Sequence, residues 1–120
     1  MPALTPTHAM LVMPKSVDAA LVGRIGGSRI VLGHGQSTDR SGWRLIAVPM
    51  YNLPNTPDAP HPKGWGNGYV LDLGGRRVYI SGDTQGTPEM RDLSNIDLAF
   101  VCMNLPYTMD VARLRTPLPT

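Results

Sequence analysis

Cysteine and lysine are scarce in this sequence, and long apolar runs are absent from it. The single cysteine, Cys102, excludes an internal disulfide framework, and its apolar neighbours predict a small buried side chain. Basic residues are scattered singly or in the pair Arg76-Arg77, which argues against a nucleic-acid partner. No run reaches the length of a membrane span, and Met1 to Pro6 lack the positive start of a signal peptide. A soluble cytoplasmic protein without a membrane partner is predicted.

Glycine and proline, by contrast, are abundant. Thirteen glycines and twelve prolines occur among 120 residues, well above the usual share, while 42% of residues are apolar. This composition predicts one loop-rich domain of the α/β (α+β) class rather than a helical bundle. The predicted order is β-α-β-β-β-β-α-β with a further helix at the end. It indicates a mixed β-sheet with flanking helices on one face.

Apolar runs and turn residues place these elements along the chain. Gly74-Gly75 suits a hairpin turn with positive φ. Ser16 and Thr87 are predicted N-caps of two helices, and the proline-rich tract 51–66 is predicted to be a functional loop. Strands are predicted at residues 8–13, 29–32, 43–50, 67–73, 77–81 and 96–103, and helices at 16–25, from 88 and from 109.

An acidic residue stands at the end of one of these strands. The run Val78-Tyr79-Ile80-Ser81-Gly82-Asp83-Thr84 leads from apolar residues to a lone carboxylate at a sharp turn. A side chain there is held rigidly at the rim of the sheet, where metal ions and substrates are commonly bound. The alternative is structural, because an aspartate also stabilises its own turn through hydrogen bonds to the backbone. Asp83 is therefore a candidate metal ligand.

Three further segments accompany this strand, and their order and spacing are informative together. They are Ala47-Val48-Pro49-Met50-Tyr51-Asn52, His61-Pro62-Lys63-Gly64-Trp65-Gly66-Asn67-Gly68-Tyr69-Val70 and Asn104-Leu105-Pro106-Tyr107-Thr108-Met109. With the run that ends at Asp83, they resemble the metallo-β-lactamase fold superfamily. Within it, the sequence is most similar to metal-dependent hydrolases of the L-ascorbate-6-phosphate lactonase type. The likeness covers about residues 28–110.

The resemblance implies a fold and a metal site. The fold would be part of an αββα sandwich, with residues 1–120 as a single, incomplete domain. One or two divalent ions, zinc or alternatively manganese, would bind at the sheet edges, and Asp83 would bridge them. His61 would be a further ligand. Asn52 is the alternative at that position, although imidazole is the usual zinc ligand and an amide is rare.

The chemistry implied by this likeness is hydrolysis of a lactone, ester or phosphodiester. A carboxylate between two cations offsets their repulsion, and the surrounding imidazoles leave a position open for a water molecule that ionises near neutral pH. A small anionic substrate is expected, with Lys63 as a point charge and Tyr107 as a hydroxyl donor. The alternatives for these two side chains are a solvated loop lysine and a rim aromatic residue.

The sequence also departs from the family pattern. The family's His-x-His-x-Asp-His run does not occur, and the three histidines are isolated. His8 is predicted to lie in a flexible N-terminal stretch and His34 in an exposed turn, so only His61 and Asp83 match ligand positions. The chain is therefore predicted to be a truncated portion of such a domain, with little activity alone. Whether it binds a metal ion is left open. A metal-free interaction or oligomerisation module that self-associates through exposed strands is the alternative.

Overall fold

The described part of the chain is mostly β-structure with two short helices. The computed structural model describes residues 9–24, 28–103 and 108–109. The elements are β1 (Leu11–Met13), α1 (Lys15–Leu21), β2 (Arg29–Val31), β3 (Ser37–Arg40), β4 (Trp43–Met50), β5 (Gly66–Leu73), β6 (Arg76–Ile80), α2 (Pro88–Arg91) and β7 (Leu98–Phe100). The mixed sheet predicted from the sequence is present. The described helices are few and short, since α1 has seven residues and α2 only four.

Two sheets organise these strands. The larger has the order β3-β4-β5-β6-β7, and the smaller pairs β1 with β2. In the larger sheet, neighbours are antiparallel except β6 and β7, which are parallel. The small sheet is parallel, and α1 is the crossover between its strands. Parallel pairing requires such a connection, since a tight turn joins only antiparallel strands.

One face of the large sheet carries the apolar core. Val48, Val70 and Tyr79 are buried there, and Met90, Leu93 and Ile96 from the segment around α2 pack against them. Alternate strand residues point to opposite faces. The register places Ile80 beside Phe100 and Val78 beside Leu98 on the opposite face. Ile80, Leu98 and Phe100 are about half exposed, at 47%, 52% and 57%. The sheet is therefore covered on one side, and its second side is apolar and open near β7.

Several predicted elements differ from the observed ones. The polar strand β3 was not predicted, and the strand predicted at 96–103 is observed as β7, which covers only Leu98–Phe100. Ser16 does not cap α1: Pro14 occupies the cap position, and the Ser16 hydroxyl instead donates to the carbonyl of Trp65. The helix ends at Leu21. The helix predicted from Met109 lies outside the described residues.

The direction of the strands determines where the loops emerge. Because β5 is antiparallel to both β4 and β6, the latter two run in the same direction, and β7 is parallel to β6. The segments that follow β4, β6 and β7 therefore leave from one edge of the sheet. Asn52, His61 and Asp83 lie in the first two of these segments. No helix in the described residues has the length and apolar character needed to cross a membrane.

Candidate metal centre

The turn that presents Asp83 begins directly after β6. Gly82 has a φ of +64°, a left-handed conformation that glycine adopts without steric cost. A Cβ atom at Gly82 would lie 2.7 Å from the Met50 sulfur and 3.1 Å from the carbonyl oxygen of Asn67. The Cys102 sulfur lies 2.7 Å from the Gly82 carbonyl oxygen and donates to it. Backbone conformation and close packing thus fix the turn, and they leave the Asp83 side chain 64% exposed at the rim.

Thr84 joins this turn to the loop after β4. Its side chain is fully buried, and its hydroxyl oxygen accepts a hydrogen bond from the backbone N–H of Tyr51 at 3.1 Å. The backbone N–H of Gln85 donates to the Tyr51 carbonyl at 3.0 Å, and the Gln85 side chain accepts from the N–H of Leu53. These bonds satisfy loop backbone groups that no strand partner reaches. The two loops therefore form one connected rim.

His61 is held in that rim by Asn52. The backbone N–H of Asn52 donates to the His61 carbonyl at 2.9 Å, and the Asn52 side-chain oxygen accepts from the His61 N–H at 2.6 Å. The imidazole Nε2 atom of His61 then lies 3.5 Å from the Asp83 Oδ2 atom. The structure thus brings together the two residues that the resemblance marked as ligands.

The two candidates for the second ligand position have different surroundings. Asn52 is buried, at 5% exposure, and its side-chain oxygen is bonded to the backbone of His61. The His61 side chain is 25% exposed and faces a carboxylate. Asn52 therefore acts as a support for the His61 segment in this structure. Metal binding by either residue stays a prediction.

The distance between His61 and Asp83 suits two ligands of one ion. Zinc ligands lie about 2.0–2.2 Å from the metal, so two neighbours in a tetrahedral site are about 3.3 Å apart. Two features do not match a complete site. Within residues 9–24, 28–103 and 108–109, the buried His61 Nδ1 atom has no hydrogen-bond partner, whereas ligating histidines normally donate from that nitrogen. Among the described residues, no group of three or more His, Cys, Asp or Glu side chains is placed to hold a metal.

Beside this pair lies a cluster of three polar side chains that sequence reasoning only partly found. Lys63, predicted to contact substrate, donates to Glu89 at 3.0 Å, and its ammonium lies 5.0 Å from the centre of the Tyr51 ring. The Tyr51 hydroxyl donates to the other Glu89 oxygen at 2.7 Å. Lys63 is therefore ion-paired, with 40% of its side chain exposed. From the sequence, Glu89 could have been predicted only as an acidic residue in the first turn of α2, where a carboxylate interacts favourably with the helix dipole.

Burial and hydrogen bonding shift the pKa values of two members of this cluster, Tyr51 and Glu89. Burial raises the pKa of Tyr51 to about 12, and the hydrogen bond and charge of Glu89 act in the same direction. Burial on its own would raise the pKa of Glu89, but hydrogen bonds from Tyr51 and Lys63 outweigh it and the net pKa lies below its ordinary value. Glu89 is therefore ionised at neutral pH and Tyr51 is protonated.

Tyr107 and His8 lie outside the described residues. His34, predicted to be exposed in a turn, is half-buried, and its Nε2 atom lies 3.2 Å from the carbonyl oxygen of Gly66. Its exposure was wrongly predicted, because the turn folds back onto the start of β5.

The described part of the chain has a partial metallo-β-lactamase-like fold, and two of the proteins that it resembles are metal-dependent hydrolases by name. A "UPF0173 metal-dependent hydrolase" from Deinococcus radiodurans is 31% identical over 94 residues, which are 76% of this chain and 41% of that protein. The crystal structure of a proposed metal-dependent hydrolase from Parabacteroides distasonis is 39% identical with a TM-score of 0.74. The match covers 86% of this chain and 45% of the other. No family model matches the chain.

A more distant similarity concerns the fold alone. A variant of the β-hydroxylase CmlA matches with a TM-score of 0.58 at 18% identity, over 78% of this chain and 20% of that one. The chain thus spans less than half the length of each of these proteins.

Proposed function

We propose that this chain carries part of the metal site of a hydrolase that cleaves a small anionic lactone, ester or phosphodiester. His61 and Asp83 are the ligands that it contributes, with zinc as the first candidate ion and manganese as the second. The proposal depends on one observation: a histidine nitrogen and a carboxylate oxygen from two different loops lie 3.5 Å apart at one edge of the sheet. The described similarity to metal-dependent hydrolases supports it. Within that class, the L-ascorbate-6-phosphate lactonase type is the finer proposal.

The residues of the chain have distinct parts in this proposal. A bound divalent cation supplies Lewis acidity and lowers the pKa of water. Gly82 and Thr84 fix the position of the Asp83 carboxylate, and Asn52 fixes that of His61. Two protein ligands are fewer than the three that catalytic zinc sites use. We therefore expect weak metal binding and little turnover of lactone or phosphodiester substrates by this chain alone.

Metal binding is tested directly by calorimetric titration of the purified chain with Zn²⁺ and separately with Mn²⁺. We expect H61A and D83N each to weaken zinc binding by on the order of tenfold or more, because each removes one ligand. H34A and D39N are the matched controls, since His34 bonds to a backbone carbonyl and Asp39 is an exposed carboxylate paired with Arg44. If all four variants bind zinc as the original chain does, His61 and Asp83 are not ligands.

A second candidate function is a metal-free interaction module. The half-exposed side chains of Ile80, Leu98 and Phe100 on one sheet face favour it, because contiguous exposed apolar surface marks interaction sites. Elemental analysis with sedimentation velocity separates the two candidates. Zinc near one ion per chain supports the metal site, whereas a stable metal-free dimer supports the module.

A further inference from the structure

Next to the His61–Asp83 pair, the loop after β4 forms an open cleft of about 400 Å³. Its lining residues are Asn55, Thr56, Pro57, Pro62, Lys63 and Trp65. This volume lies within the usual range for small-molecule sites, about 300–1,000 Å³, and such sites combine apolar walls with a few polar groups. None of the similarities described above assigns a ligand to this cleft.

Trp65 provides its largest apolar surface. The residue is 64% exposed, although its backbone is fixed on both sides. The Trp65 N–H donates to the Pro62 carbonyl at 3.3 Å, and the Trp65 carbonyl accepts from the Ser16 hydroxyl. An exposed indole on a fixed backbone offers a flat face on which an aromatic ring can stack, and only its two χ angles would be restricted by binding. Two prolines complete the apolar wall.

Lys63 provides the charge of the cleft. Its ammonium is held by Glu89 at 3.0 Å and by the Tyr51 ring. An ammonium has three N–H donors, and within the part of the chain that the structure describes the Glu89 bond engages one of them. Two donors are therefore left for a ligand, at a position that Glu89 fixes. Lys63 and Trp65 line the same cleft two residues apart, so the remaining N–H donors and the indole together suit a ligand that combines a ring with an anionic group.

The cleft also adjoins the proposed ligands. Pro62 and Lys63 follow His61 directly in the chain, and consecutive Cα atoms are about 3.8 Å apart. A bound molecule with its anionic group at Lys63 would thus contact a residue only two positions along the chain from His61. This geometry relates the cleft to hydrolysis without depending on a bound metal.

We propose that this cleft is the substrate subsite, and that it binds an organic anion with a flat aromatic or heterocyclic ring stacked on Trp65 and its anionic group contacting Lys63. The assignment of this cleft as a substrate site rests on the proposed hydrolase function. The binding itself concerns only the cleft residues, so it is measurable separately.

Phenyl phosphate, inorganic phosphate and benzyl alcohol are suitable probes, titrated into the full chain in the presence of a chelator and followed by ligand-observed NMR. We expect phenyl phosphate to bind on the order of tenfold more tightly than either of the other probes, because only it engages both groups. W65A should lose that advantage while leaving the binding of inorganic phosphate unchanged. K63M should weaken both phosphate compounds. L73A, which removes an exposed apolar side chain outside the cleft, is the control and should leave the binding of all three probes unchanged.

A fluorescence titration gives an independent measurement. In W43F, Trp65 is the only tryptophan, so saturable quenching by phenyl phosphate reports on this side chain alone. Equal binding of phenyl phosphate by W65A and the original chain, or no quenching in W43F, would overturn the inference. The metal is chelated throughout, so that outcome leaves zinc binding by His61 and Asp83 unaffected, and loss of zinc binding would equally leave the cleft result intact.

Discussion

At the scale of single residues, the position of the Asp83 carboxylate depends on Gly82. A side chain at Gly82 meets two penalties, a positive φ of +64° and a contact of 2.7 Å with the Met50 sulfur. We expect G82A to lose about 1–2 kcal/mol of unfolding free energy from the backbone conformation and about 1–3 kcal/mol more from crowding. Urea denaturation followed by circular dichroism measures the loss.

Gly35 offers a matched control for this substitution. Its φ is +78°, but nothing lies within 4 Å of a Cβ atom there. G35A should therefore show the backbone penalty without the crowding penalty. Equal losses in G35A and G82A would mean that the Met50 side chain moves aside, and that packing does not help to hold the turn.

The lowered pKa of Glu89 predicts that the stability of the protein depends on pH. Its folded pKa lies below the ordinary 4.5, because hydrogen bonds from Tyr51 and Lys63 outweigh the opposing effect of burial. A lowered folded pKa contributes stability that is present above the unfolded pKa and is lost as the pH falls through the folded one. At pH 7, the unfolding free energy of the original chain should exceed that of E89Q by about 0.5–1 kcal/mol. This advantage should disappear in strong acid.

Urea unfolding at pH 7 and at pH 3 provides the comparison. D39N removes a carboxylate from the exposed pair with Arg44, and it should change stability little at either pH. An E89Q deficit of the same size at both pH values would show that the lost contribution is not the ionised carboxylate.

At the scale of the elements, local signals predicted the hairpin and helix α2 well. Gly74 and Gly75 form the turn between β5 and β6 with positive φ, and Thr87 caps α2 by accepting from the Met90 N–H at 3.2 Å. Both features depend on residues close in the chain. The strand β3 was missed because its sequence, Ser37-Thr38-Asp39-Arg40, is polar and becomes a strand by pairing with β4.

The Ser16 prediction failed for a related reason. A serine near a helix start is commonly an N-cap, but its hydroxyl here donates to Trp65, far along the chain. Tertiary contacts decided the role of this side chain. The contact between His61 and Asp83 is likewise tertiary. It was anticipated from the family resemblance, since neither residue's immediate neighbours indicate the other.

The loop after β4 supplies the next prediction, which concerns Asn52 and His61. If the Asn52 side chain supports the His61 backbone through the bond at 2.6 Å, N52A should weaken zinc binding, but by less than H61A does, because both proposed ligands remain in N52A. N52D retains an oxygen that accepts from the His61 N–H and should bind zinc more tightly than N52A. Calorimetric titration ranks the three variants.

The same series decides between the two ligand assignments. A loss in N52A as large as the loss expected of H61A, together with unchanged zinc binding by H61A, would make Asn52 the ligand. The prediction that His61 binds metal would then be wrong, even though its imidazole faces Asp83.

At the scale of the whole molecule, the candidate site and the apolar core lie in different parts of the described fold. The site lies at one sheet edge, where the segments after β4 and β6 meet, whereas the core lies on the face covered by α2. The opposite face has no comparable cover among the described residues near β7, where Leu98 and Phe100 are exposed. The chain also spans less than half of its relatives. The described residues thus bring His61 and Asp83 together although the sheet face near β7 is exposed.

An apolar sheet face with an open edge strand favours association with another surface. We expect the purified chain to self-associate through Ile80, Leu98 and Phe100, and the double variant L98K/F100K to be monomeric because two charges would be buried in such a contact. V22K is the matched control, since Val22 is 65% exposed at the end of α1, outside this sheet. Sedimentation velocity over a range of concentrations measures the association. If the original chain stays monomeric throughout that range, or if V22K dissociates the oligomer as completely as L98K/F100K, the β7 face is not the contact surface.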